Sequence, residues 1–146
     1  PNFKGRDGCR TPMPWRDGEQ AGFSQGQPWL PIPAEHRAIN VAAQDADPDS
    51  ILNQVRRFLG WRRSQPALRV GRIRFLDAPE PVLAFVRETE GAAMLVVFNL
   101  SPQPVAWKLP TGLSPHPVYS HGLPSGTLQD GTLALPARGV YYAVID

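Results

Sequence analysis

Proline is the feature that most constrains how this chain can fold. It occurs 17 times in 146 residues, about 12%, where an average protein has about 5%. Because proline fixes φ and has no backbone N–H to donate, it interrupts helices and avoids central strands. The prolines are spread among apolar runs rather than gathered in one tract. The sequence therefore predicts short strands joined by many turns, and neither a helical bundle nor a disordered tract.

Charge and cysteine content narrow the possible partners. The 15 basic and 13 acidic residues give a formal net charge of +2, which does not require a polyanionic partner. Cys9 is the single cysteine, so no internal disulfide can form. No apolar run reaches the ~18 residues of a membrane span, and no signal peptide opens the chain. We expect no nucleic-acid partner, no membrane partner and a cytoplasmic location. Because the first residue is Pro1 and not Met, we expect a processed chain or a fragment.

Residues 1–47 show no sustained helical or strand period. A stretch this long without a regular pattern is uncommon in a compact domain and is usually functional or disordered. It contains more large apolar residues than a solvated tail would: Phe3, Trp15, Phe23, Trp29 and Leu30. We therefore expect a long loop that packs against another body.

One clear helical pattern covers residues 47–65. Asp47 suits the N-cap and Pro48 the first helical position. Apolar positions then recur at spacings of three and four, and Pro66 ends the pattern because the residue before a proline avoids the α region. The predicted stripe consists of Ile51, Leu52, Val55, Phe58, Leu59 and Arg62.

From Ala67 onward the chain has the pattern of short strands between turns. The first run changes phase at Gly71, which indicates a bulge or sharp bend. Asp130-Gly131 predicts a type I′ hairpin, because both central residues of that turn need positive φ. The predicted fold class is mainly β, an antiparallel sandwich or barrel preceded by the irregular loop and one α-helix. The predicted strands are Leu68–Leu76, Val82–Arg87, Ala92–Leu100, Val105–Leu109, His116–Tyr119, Thr127–Gln129, Thr132–Leu135 and Val140–Ile145.

The segment from Gly5 to Trp15, GRDGCRTPMPW, is the richest in chemistry. Arg6 and Arg10 offer planar donor forks that suit hydroxyl pairs or carboxylates, with Asp7 between them. Trp15 could supply an apolar wall. Chemistry alone favours the simpler alternative, an arginine–aspartate network that only holds the loop in place.

The spacing of the residues does not support a metal site. Asp45, Asp47 and Asp49 resemble the start of a calcium loop, but Ser50 and Arg56 stand where that loop needs glycine and glutamate. We expect no metal and no cofactor. Most remaining candidates are assigned to ordinary surface or packing roles: His36, His116 and His121 as surface or turn residues, Cys9 as a packed small residue, and the arginines of 56–74 as a solvated helix face and strand edge. Asn99-Leu100-Ser101 matches a glycan acceptor but has no evident secretory context.

The segment from Gly5 to Trp15 resembles the RD…RTPMQW motif of α-glucosidases. These enzymes belong to the α-amylase superfamily, glycoside hydrolase family 13, and the resemblance is to its oligo-1,6-glucosidase-like members. Pro14 stands in place of the glutamine. The resemblance extends over essentially the whole chain. It continues through residues 21–24, 28–32, 39–41 and 44, the predicted helix, and residues 67–71, 82–87 and 95–101.

The resemblance implies a division of the chain. Residues 1–66 would be the end of a (β/α)₈ catalytic barrel, and residues 67–146 its carboxy-terminal antiparallel β-domain. Arg6 would help close the pocket for the terminal glucose, with Arg10 and Asp7 shaping the same loop. The retaining mechanism needs two carboxyl groups about 5–5.5 Å apart, which in the family precede this motif. We therefore expect no catalytic residue in this chain, substrate binding by Arg6 and Arg10, and no activity of the chain alone.

Two hypotheses for the function remain. In the first, the chain belongs to an enzyme that binds an α-glucoside or α-gluco-oligosaccharide, and its partner is the missing barrel. Without that barrel, Phe58, Leu59 and Trp61 would be exposed and drive self-association. In the second, the chain is a free-standing β-sandwich that binds carbohydrate or serves as an interaction module.

Overall fold

The computed structural model describes residues 5–146, so Pro1 and Phe3 lie outside the described residues. The chain forms two compact units, Pro1–Val55 and Arg56–Asp146, and the boundary falls inside a helix. We call them the N-terminal unit and the C-terminal unit.

The N-terminal unit has more regular structure than the sequence pattern predicted. It contains two 3₁₀ turns, Asp7–Cys9 and Glu19–Gly22, two short helices, α1 (Ala34–Ala38) and α2 (Val41–Ala46), and the start of α3 (Ile51–Arg63). Each segment before α3 has six residues or fewer, which is too short to show a helical period.

Helix α3 begins later than predicted, and its N-cap is Ser50 rather than Asp47. The Ser50 Oγ accepts from the Asn53 amide at 3.2 Å, and the Ser50 carbonyl accepts from Gln54 at 2.9 Å. Asp47 instead accepts from the amide of Asp49 at 2.9 Å, closing a turn before the helix. Both residue types can cap a helix or a turn. The end of α3 at Arg63, ahead of Pro66, agrees with the prediction.

The C-terminal unit confirms the antiparallel sandwich. A five-stranded sheet has the order β1-β2-β3-β8-β5 and a three-stranded sheet has the order β4-β7-β6, all pairs antiparallel. Asp130 and Gly131 have φ of 49° and 73°, as the predicted hairpin turn requires. The elements are α4 (Pro66–Val70), β1 (Arg72–Phe75), β2 (Val82–Thr89), β3 (Ala92–Asn99), β4 (Val105–Lys108), β5 (Pro115–Pro117), β6 (Thr127–Gln129), β7 (Thr132–Leu135) and β8 (Val140–Ile145).

The first predicted strand, Leu68–Leu76, is wrong in its first half. Pro66 starts the short helix α4, and only Arg72–Phe75 forms a strand. Gly71 is the C-cap of α4 rather than a bulge, and its backbone is extended, with φ −64° and ψ 149°. Glycine is required at position 71 because the Ala67 carbonyl oxygen lies too close for a side chain: a Cβ there would stand 2.4 Å from it. The Arg87 guanidinium donates to the Gly71 carbonyl at 2.7 Å and 3.1 Å.

Two apolar clusters hold the C-terminal unit together. The larger one lies between the sheets and includes Leu95, Leu133 and Tyr141. The second cluster lies on the opposite face of the five-stranded sheet, where Trp61 of α3 packs with residues of α4, β3 and β8. Trp61 is 8% exposed, so the expectation that it would be exposed is wrong, whereas Leu59 is 45% exposed.

Two glycines of the C-terminal unit should respond to alanine in opposite directions. Gly71→Ala should destabilise the fold by about 1–3 kcal/mol, because the added methyl overlaps backbone atoms that cannot move independently. Gly60→Ala should stabilise it by up to about 1 kcal/mol, since Gly60 lies inside α3 with nothing within 4 Å of a new Cβ. Urea unfolding of the two variants measures both. An equal response at the two positions would contradict the packing around Gly71.

Candidate functional site

The arginine-bearing segment is organised by the first 3₁₀ turn, Asp7–Cys9. The amide of Cys9 donates to the Arg6 carbonyl at 3.1 Å, and the amide of Arg10 donates to the Asp7 carbonyl at 3.0 Å. The turn therefore places Arg6 at its start and Arg10 at its end. Both arginine side chains are exposed, and Asp7 is half-buried.

The side chains of Arg6, Asp7 and Arg10 are not engaged with one another. Among residues 5–146, none of the three takes part in an ion pair or a side-chain hydrogen bond with another described residue. The arginine–aspartate network that chemistry alone favoured is therefore absent from the described part of the chain. Binding of a ligand by the two guanidinium groups stays a prediction.

The segment after the turn is held by backbone hydrogen bonds. The amide of Trp15 donates to the Ala21 carbonyl at 2.9 Å, and the amides of Val41 and Ala42 donate to the carbonyls of Pro14 and Trp15, each at 2.9 Å. Pro14 and Trp15 thus lie between the second 3₁₀ turn and the start of α2. The Trp15 side chain remains 52% exposed, so it is available as the apolar wall that its place in the motif suggested.

Three amide side chains stabilise the loop, and the sequence pattern did not identify their role. Asn40 caps α2, accepting from the amide of Ala43 at 2.9 Å and donating to the Arg37 carbonyl at 2.7 Å. Gln44 donates to the Ile39 carbonyl at 2.8 Å. Asn53 of α3 donates to the carbonyls of Gln44, Asp45 and Asp47 at 2.8–3.1 Å. Asn40 before an apolar residue was the one local sign of a cap.

A shallow groove of about 330 Å³ lies beside the motif. Its residues are mainly apolar, and no ionisable group other than His36 lines it. They are Thr11, Pro12, Met13, Pro14, His36, Ile39 and Gln44. Large apolar side chains elsewhere in the N-terminal unit are also exposed, with Trp29 at 81% and Ile51 at 74%. Exposed apolar area of this extent is typical of a surface that another domain or another protein covers.

The other candidates from the sequence take structural positions. No group of three or more potential metal ligands occurs among residues 5–146. His116 is exposed and lies 3.4 Å from the carboxylate of Asp146. Asn99 is buried, and its amide donates to the carbonyls of Gln103 and Pro136, so it does not present a glycan acceptor. Cys9 is exposed rather than packed.

His121 lies in a turn, one of the two positions expected for it, but it is not a surface residue, since only 1% of it is exposed. The spacing of residues in the sequence shows no sign of this burial.

Comparison with family models identifies the class of protein to which this chain belongs. The model described as "Alpha amylase, catalytic domain" matches residues 1–71, and "Maltogenic Amylase, C-terminal domain" matches residues 73–141. The chain belongs to the α-amylase family.

Individual proteins and solved structures are also similar to this chain. A protein described as "Probable alpha-glucosidase" of Rhizobium meliloti is 41% identical over 98% of this chain and 26% of its own length. The crystal structure of the α-glucosyl transfer enzyme XgtA is 49% identical, with a TM-score of 0.92 over 100% of this chain and 27% of XgtA. The trehalulose synthase MutB from Pseudomonas mesoacidophila is 28% identical, with a TM-score of 0.78 over 97% of this chain and 26% of MutB.

The chain thus spans about a quarter of the length of the relatives it matches. Among the described residues, no helix is both long and apolar enough to cross a membrane.

Proposed function

We propose that this chain is the carboxy-terminal part of an enzyme that hydrolyses or transfers terminal α-linked glucose with retention of configuration. The observation that supports this most directly is the pair of exposed arginines, Arg6 and Arg10, at the two ends of one turn. A guanidinium fork can bind two neighbouring sugar hydroxyls, or one hydroxyl and one carboxylate. The substrates we propose are α-glucosides and α-gluco-oligosaccharides.

In this proposal the chain positions the sugar and does not carry out the bond cleavage. Retaining hydrolysis needs a nucleophilic carboxylate and a carboxylic acid about 5–5.5 Å apart, and we place both in the catalytic barrel. Arg6 contacts a hydroxyl of the terminal glucose and pairs with an aspartate of the barrel. Holding the glucose in this way orients its anomeric carbon toward the nucleophile.

The domain division follows the same proposal. Residues 1–66 contribute the substrate-side loop and the last helix of the barrel, and residues 67–146 form the β-domain. The exposed apolar side chains of the N-terminal unit support a covering barrel, since a free-standing module would leave them in water. Self-association of the isolated chain stays a prediction that its mass at several concentrations would test. A cytoplasmic location is likewise a prediction, to be checked by cell fractionation.

A chimera tests the function. In it, this chain replaces the matching carboxy-terminal quarter of the Rhizobium meliloti relative, which supplies the barrel. We expect the chimera to release p-nitrophenol from p-nitrophenyl α-glucoside with retained anomeric configuration, and the 146-residue chain alone to show no turnover. Turnover by the isolated chain, at verified mass, would contradict the assignment of the carboxyl groups to the barrel. A folded chimera without activity would contradict the proposed function.

A further inference from the structure

The turn between β5 and β6 carries a histidine enclosed by aromatic rings of the C-terminal unit. The centroid of the His121 ring lies 5.4 Å from that of Trp61 on α3 and 4.9 Å from that of Tyr142 on β8. Trp61 and Tyr142 are themselves in edge-to-face contact at 4.8 Å. The imidazole is therefore the point at which the turn, the helix and the strand meet.

Hydrogen bonds define the protonation state of this imidazole. The backbone amide of Leu123 donates to Nδ1 at 3.1 Å, so Nδ1 is an acceptor and carries no proton. The neutral ring then carries its proton on Nε2, which lies 3.3 Å from the hydroxyl oxygen of Ser125. Adding a second proton at Nδ1 would turn this acceptor into a donor facing the Leu123 N–H. It would also place a charge among aromatic rings.

The ionisable side chains near His121 offer a cation little compensation. On α3, the Nε of Arg57 lies 3.9 Å from where a Cβ would stand at Gly122, next to the histidine. On β8, the facing group is Tyr142, and burial raises its pKa to about 12, so the phenol is neutral at ordinary pH. The described residues form no ion pair between His121 and a carboxylate.

We propose that His121 is an acid-sensitive latch: in its neutral form it holds α3 and β8 together, and protonation of Nδ1 loosens this contact. The direction of the pKa shift agrees with this geometry. Burial lowers the pKa of His121 below 6.5, although a hydrogen bond with the Val118 backbone acts in the opposite direction. This proposal concerns the stability of the C-terminal unit and does not rest on the proposed function.

The sign of the pH effect follows from linkage. Well above pH 6.5 the histidine is neutral in both states, and its full contribution to stability is present. As the pH falls below 6.5, the unfolded chain binds a proton that the folded chain excludes. Stability therefore declines until the pH reaches the lower pKa of the folded state. Within that window the equilibrium constant for unfolding should rise up to about tenfold per pH unit.

The test is urea unfolding of the 146-residue chain from about pH 8 to about pH 5.5, above the range in which most carboxylates titrate. His121→Asn keeps a side-chain acceptor for the Leu123 amide and removes the titration, so we expect the rise in the unfolding constant to disappear. His116→Asn is the matched control, because His116 is exposed, and it should behave as the wild type does. If wild type and His121→Asn show the same pH dependence, the latch is ruled out.

A second measurement does not depend on the variant's folding. The chain has three histidines, so the His121 ring signal in an NMR titration can be assigned with the single variants His36→Asn and His116→Asn. We expect its midpoint below 6.5 together with a shift in the Trp61 indole signal at the same midpoint. A midpoint at or above 6.5, or no response at Trp61, would overturn the proposal.

Discussion

Replacing Arg6 by lysine in the chimera should lower kcat/KM for p-nitrophenyl α-glucoside about 100-fold, the effect typical of losing one oriented donor at a reacting centre. Lysine keeps the positive charge but not the planar fork, so it cannot hold a sugar hydroxyl and a carboxylate together. Arg6 is exposed and makes no side-chain interaction with another described residue, so folding should be unaffected. Steady-state kinetics and the thermal midpoint of the same samples separate the two effects.

The controls for this prediction are Arg10→Lys and Arg69→Lys. Arg10 ends the same 3₁₀ turn, and we expect a smaller loss there because its contact with sugar is the less direct of the two. Arg69 is an exposed arginine of α4 that does not belong to the motif, and its replacement should leave kcat/KM unchanged. Wild-type activity in Arg6→Lys would remove Arg6 from the proposed substrate pocket. A parallel loss in all three variants would show a general sensitivity to arginine rather than a site.

Trp61→Ala should destabilise the isolated chain by about 3–5 kcal/mol, the range for removing a buried aromatic side chain. Trp61 is 8% exposed and contacts the rings of Phe58, His121 and Tyr142 at 4.8–5.6 Å. Its loss would open a cavity between α3 and the five-stranded sheet. Urea unfolding followed by far-ultraviolet circular dichroism measures the change.

Two further substitutions make the Trp61 result specific. Trp61→Phe should cost less than about 1.5 kcal/mol, because it keeps much of the ring volume and removes an indole N–H that has no hydrogen-bond partner among the described residues. Leu59→Ala, on the same helix but 45% exposed, should cost well under 1 kcal/mol, roughly the scale of a surface change. If Trp61→Ala costs no more than Leu59→Ala, the aromatic cluster does not form in solution.

Local sequence signals were sufficient for much of the C-terminal unit. Thr127–Gln129, Thr132–Leu135 and Val140–Ile145 form strands over the predicted residues, and the Asp130-Gly131 turn between the first two has the expected positive φ. These features depend on alternation over a few residues and on the backbone freedom of single residues. Both are encoded within one short segment.

The order of residues around Arg6 and Arg10 likewise indicated the family, because a motif of this length is read directly from the sequence. Sequence alone did not distinguish a ligand-binding turn from an arginine–aspartate network, because the two use the same residues. In the tertiary structure these three side chains form no ion pair with another described residue, and substrate binding by Arg6 and Arg10 stays a prediction.

Where a short segment could form either of two local structures, only the tertiary structure showed which one it forms. Asp47 and Ser50 are both good caps, and α3 begins after Ser50 because Asp47 is used in the preceding turn. Residues 68–70 belonged to the predicted strand Leu68–Leu76, yet they lie in helix α4, whose Ala67 and Leu68 are buried against the sheet. The burial of His121 depends on Trp61 and Tyr142, which are distant in sequence. Patterns within the sequence determined most of the strands, the hairpin and the family, whereas caps and buried polar groups depended on contacts that form only when the chain has folded.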